Sequence, residues 1–94
     1  MNQELEEYLK RPTNKAEGYA DVPIGRAIDK QRVFRLVQTT LRKIISNKVS
    51  PEEVETRIKR NLDKIAATNK EVYSDEIRKY IEHYLDLAFA AEKE

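Results

Sequence analysis

At about 100° of turn per residue, Val33, Val37, Leu41 and Ile44 fall on one stripe, and Phe34, Leu36 and Ile45 widen it on both sides. An apolar face that broad requires burial against more than one neighbour, so a long central helix is expected from Asp29 to about Asn47. The same period returns twice. Val54, Ile58, Leu62 and Ile65 make a narrow stripe. Ile77, Ile81, Leu85 and Ala88 make another, with Tyr80, Tyr84 and Leu87 beside it and Phe89 on its other edge. Leu5, Tyr8 and Leu9 predict a short amphipathic helix over Asn2 to Lys10. Residues 12–28 have no period: Gly18, Pro23 and Gly25 interrupt Tyr19, Val22 and Ile24, as in an extended arm or a short strand pair.

Helix-start chemistry fixes the register of the second half. In Ser50-Pro51-Glu52-Glu53 the serine can accept from free N–H groups of the next turn, and Pro51 stands where a missing N–H costs nothing. Glu53 completes a capping box, and Ser74 repeats the device before Asp75-Glu76-Ile77. Asp29 is the expected N-cap of the central helix. Arg11-Pro12 should stop the first helix, and Asn69-Lys70 the third. These signals predict a single all-α domain over residues 1–94. It is a small bundle of three principal helices (29–92) preceded by a short N-terminal helix and an irregular arm (1–28).

Composition narrows the chemistry. There is no cysteine, hence no disulfide, thiol nucleophile or thiolate metal site. The acidic N-terminus lacks the apolar core of a signal peptide, and no apolar run approaches the roughly 20 residues of a membrane span, so a cytoplasmic location is expected. His83 is the sole histidine; it projects away from the apolar stripe of its helix, and scattered carboxylates around it offer no ligand spacing. No nucleophile elbow, phosphate loop or dinucleotide-binding glycine pattern occurs. A non-enzymatic protein with neither catalytic nor metal-binding residues is expected.

The net charge of +1 conceals an asymmetry. Residues 26–48 carry seven basic groups against Asp29 alone, and both ends of the chain are acidic. Such a helix either pairs with acidic neighbours inside the fold, the ordinary outcome, or holds a polyanion. On the third helix Arg57, Arg60 and Lys64 lie within about 60° of arc opposite Leu62. With Arg32, Arg35 and Lys43 they could form a phosphate-binding surface; the plainer alternative is a solvated face with local pairs such as Glu53–Arg57. Tyr80 and Tyr84, one turn apart, suit either a partner-binding patch or the closing edge of a thin core. Gly25-Arg26 ahead of the central helix could hold a phosphate.

The order Asp29-Lys30-Gln31-Arg32-Val33, Val49-Ser50-Pro51-Glu52-Glu53-Val54-Glu55, Glu71-Val72-Tyr73-Ser74-Asp75-Glu76-Ile77 and a last helix ending in Ala88-Phe89-Ala90 resembles the helical part of an ATP-cone. That module regulates ribonucleotide reductases by binding ATP or dATP and contains no catalytic residue. The resemblance covers about residues 29–90. Ile28-Asp29 stands where the family has Phe-Asp, and Gly25-Arg26 is what remains of its Lys-Arg-x-Gly turn. It implies a nucleotide as ligand, with Arg26 and Lys30 as phosphate contacts. The expected function is therefore a regulatory binding module for a nucleotide or a protein partner. The alternative is a small helical interaction factor (inhibitor, adaptor or phage- or plasmid-type accessory protein) or a non-specific nucleic-acid binder. The wide apolar face also suggests a homo-oligomer.

Overall fold

The computed structural model describes residues 2–93. It holds five α-helices: α1 (Gln3–Lys10), α2 (Ala16–Tyr19), α3 (Ala27–Asn47), α4 (Pro51–Ala66) and α5 (Asp75–Glu92). A single 3-10 turn, Lys70–Tyr73, joins the last two. Helix α3 is the axis. It packs on α5 along one side and on α4 along another; α2 lies on α3, and α1 on α5. The expected all-α bundle is what forms.

Its central stripe is the expected one. Val33, Phe34, Val37, Leu41 and Ile44 are wholly buried. Both serine caps are in place, with the Glu53 N–H donating to Ser50 Oγ at 3.2 Å and the Ile77 N–H to Ser74 Oγ at 3.3 Å. At the hairpin between α3 and α4, Lys48 takes a left-handed conformation (φ 51°) and its N–H bonds the Ile44 carbonyl. Glycine is the usual residue there.

Three expectations need correction. Asp29 does not cap α3: the helix begins at Ala27, behind Arg26, and Asp29 lies fully buried in the first turn. Its Oδ2 accepts from Asn69 Nδ2 at 2.7 Å, tying the start of α3 to the end of the α4 segment. Residues 12–28 contain no strand. One turn of helix forms at α2, where a Cβ on Gly18 would run into the Pro12 carbonyl, and Val22 and Ile24 are buried in the core. The carbonyls of this arm and of the end of α1 are met by side chains of α3. Lys30 Nζ donates to Val22 O (2.7 Å), Gln31 Nε2 to Thr13 O (3.0 Å), and Gln38 Nε2 to Tyr8 O (2.9 Å) and Arg11 O (3.2 Å). That satisfaction holds an aperiodic segment in one conformation.

Helix α5 also departs from the expected stripe. Its buried stripe is Ile77, Ile81, Tyr84 and Ala88, and Leu85 is only half-buried. Helix α1 explains the shift. Tyr8, fully buried, lies with its ring 3.8 Å from that of Tyr84 and 5.1 Å from Phe34, which draws Tyr84 inward. On the far side α4 packs on α3 rather than on Leu85.

Candidate functional site

The α3–α4 hairpin turns two basic stripes toward each other. Arg32, Arg35, Thr39 and Lys43 recur at three- and four-residue steps on α3, as do Arg57, Arg60 and Lys64 on α4. Because the two helices are consecutive and antiparallel, the start of one stripe faces the end of the other. Arg32, Arg35, Arg57 and Lys64 surround one groove of about 410 Å³, with Leu36 and Ile65 in its floor and Thr39 and Asn61 on its walls. Arg57 also reaches a second groove, of about 430 Å³, lined by Lys43 and Arg60 nearer the hairpin turn. Glu52 and Glu53 border that second groove, whereas no carboxylate lines the first.

Among the described residues, none of the side chains of Arg32, Arg35, Lys43, Arg57, Arg60 and Lys64 forms an ion pair or a hydrogen bond with the protein. The expected Glu53–Arg57 pair is not made, and Arg57 Nε is buried without a partner. Several cations elsewhere are paired. Lys59 pairs with Asp63 (3.5 Å), and Arg78 with Asp75 and Glu82 (3.5 and 3.2 Å). Six cations without a partner among the described residues thus line two adjoining grooves on the α3–α4 face. An array of guanidinium and ammonium groups on both walls of a groove attracts an extended anion and offers planar, bidentate donors to phosphate oxygens.

Of the residues singled out in the sequence, Arg32, Arg35, Arg57 and Lys64 converge, and Arg60 stands beside them with Lys43. Arg26 and Lys30 do not join them. Arg26 pairs with Asp29 (3.4 Å) and donates to Thr68 O (3.4 Å), and Lys30 is occupied by the Val22 carbonyl. Tyr80 and Tyr84 are not an open platform: Tyr84 is 5% exposed, and Tyr80 shares a hydrogen bond with Tyr8 through their hydroxyls (2.9 Å) and donates to Asp21 (3.2 Å). Burial pushes the hydroxyls of Tyr8, Tyr80 and Tyr84 above the ordinary tyrosine range, so all three are neutral at physiological pH. They form the core edge between α1 and α5.

His83 is exposed, as its helical position predicts, and its Nε2 lies 2.7 Å from Glu4 of α1. Among the described residues no group of three or more histidines and carboxylates is arranged to hold a metal, and no helix is long and apolar enough to cross a membrane. Thr39 and Asn61 also line the groove, and neither carries a charge that marks it in the sequence. Thr39 could have been found from its place in the stripe between Arg35 and Lys43. No family model, curated protein or solved structure matches the chain.

Proposed function

We propose that this protein is a non-catalytic binding module whose α3–α4 face holds the phosphate backbone of a nucleic acid. The supporting observation is the pair of facing basic stripes whose six cations have no intramolecular partner among the described residues. Length favours a polymer over a single small anion. From Arg32 to Lys43 the α3 stripe extends for about 16 Å at about 1.5 Å per residue, which spans several phosphates. No aromatic residue lines either groove, so base stacking contributes nothing and recognition is of the backbone rather than of sequence.

Anisotropy of a labelled single-stranded oligonucleotide in a salt series tests this. Six contacts give a slope of about −4 in log K against log[salt], which is about 300-fold weaker binding between about 50 and 200 mM salt. Salt-independent binding, or none at low salt, would end the proposal. A mononucleotide is the smaller form of the same ligand, and the first groove, at about 410 Å³, falls in the size range of small-molecule sites. The ATP-cone resemblance, if it extends to a ligand, therefore has more support at Arg32, Arg35, Arg57 and Lys64 than at Arg26 and Lys30. Calorimetry with ATP and dATP separates the two forms. Heat from the nucleotides without binding of the oligonucleotide would assign the groove to the smaller ligand.

A further inference from the structure

On the opposite side of α4, between α4 and α5, lies a cleft of about 670 Å³, larger than either basic groove. It exists because both helices pack on α3 and on the 3-10 turn rather than along each other. Ile58, Leu62 and Ile81 form its floor, and the half-buried Leu85 and Phe89, one turn apart, form one wall. Tyr73 also lines the cleft, 51% exposed, one of only two large apolar residues so exposed among those described.

The rim is not neutral. Of its basic groups, Lys59 is held by Asp63, and Arg78 by Asp75 and Glu82. Glu55 on the α4 wall and Asp86 on the α5 wall have no ion-pair partner among the described residues. An apolar trough between two uncompensated carboxylates matches a helix whose apolar stripe is flanked by lysine or arginine. We infer that the α4–α5 cleft docks such an amphipathic, basic-flanked helix from a protein partner, its apolar side chains entering between Leu85, Phe89 and Ile58. A second copy of this chain does not meet that description. Each of its long helices turns its apolar stripe into its own core, so none offers a free apolar stripe flanked by cations. The same carboxylates repel a nucleic acid, so this cleft and the basic groove select different ligands and both can be filled at once.

The test uses two capped synthetic helices of about 18 residues, long enough to be partly helical alone, with leucines at i, i+3, i+4 and i+7 and flanks of either lysine or glutamate. Amide chemical shifts of the labelled full chain are followed during titration. The lysine-flanked peptide is expected to shift Tyr73, Leu85 and Phe89 and to bind at least about tenfold more tightly than its glutamate twin. Glu55→Lys with Asp86→Lys should reverse that preference. Leu85→Ser with Phe89→Ser should abolish binding while the rest of the amide spectrum and the oligonucleotide affinity persist, which shows that the variant folds. Equal affinity for both peptides, absence of saturable binding, shifts outside the cleft, or self-association that the serine variant removes would each overturn the assignment. The last of these would give the cleft to a second copy.

Discussion

Helix α4 has two unlike walls, and its charges are treated differently on each. Lys59, beside the apolar cleft, finds Asp63 four residues on, whereas Arg57 and Arg60, at the basic groove, find Asn61 and Lys64 at the same step. An i,i+4 partner is the cheapest way to neutralise a helical cation. The sequence supplies one at Lys59 and Arg78 and withholds it along the α3–α4 face; Glu53, which could reach Arg57, does not. Packing separates the walls as well. Leu36 and Ile65 close the α3–α4 seam beneath the cations, while α4 and α5 leave their apolar edges apart. Charge left unpaired on one side and apolar surface left unfilled on the other point to two kinds of ligand on one helix.

The strongest way to break this contrast is charge reversal on the basic wall. Arg35→Glu with Arg57→Glu and Lys64→Glu should weaken oligonucleotide binding by about 100-fold or more, because three attractions become repulsions. The helical circular dichroism should not change, and the same triple variant should leave the α4–α5 cleft intact for its peptide.

Next in size is a change remote from both walls. Gln38→Leu strips the Tyr8 and Arg11 carbonyls of their buried donor and should lower stability by about 2 kcal/mol in chemical denaturation, with no loss of oligonucleotide affinity below the unfolding transition. A loss of affinity there would mean that the arm and the groove are coupled.

Alkaline pH bears on the same remote region. The hydroxyls of Tyr8, Tyr80 and Tyr84 titrate higher in the folded than in the unfolded chain, because burial disfavours their charged form. The folded state then binds more protons, so this contribution is complete below about pH 10 and is lost as pH rises beyond it. Thermal unfolding should shift downward above about pH 10, with an additional rise in phenolate absorbance as the chain unfolds and frees these three hydroxyls.

The smallest effect is expected at the hairpin that sets the two basic stripes face to face. Lys48→Gly relieves a left-handed lysine and should raise stability by about 1 kcal/mol without altering oligonucleotide affinity.

Periodicity and capping made the scaffold legible. Val33 to Ile44 and the serines at 50 and 74 obey local rules that tertiary structure has no reason to override. Asp29 misled because N-capping and buried pairing call for the same residue type, and only the fold brings Asn69 to it. The arm was opaque because its order depends on Lys30, Gln31 and Gln38 reaching carbonyls far away in the chain. The basic stripes could be read one helix at a time, and their convergence followed from the short connection at residues 48–50. The apolar cleft could not be read. A half-buried Leu85 and a fully buried one give the same sequence pattern, and the difference lies in where α4 packs.

The most direct measurement is a map of amide shifts in the labelled chain on titration with a single-stranded oligonucleotide at low salt. The account predicts saturable shifts at Arg32, Arg35, Thr39, Arg57, Asn61 and Lys64, with Tyr73, Leu85 and Phe89 unmoved. Shifts centred on Arg26 and Lys30, shifts in the apolar cleft, or no shifts at all would contradict it.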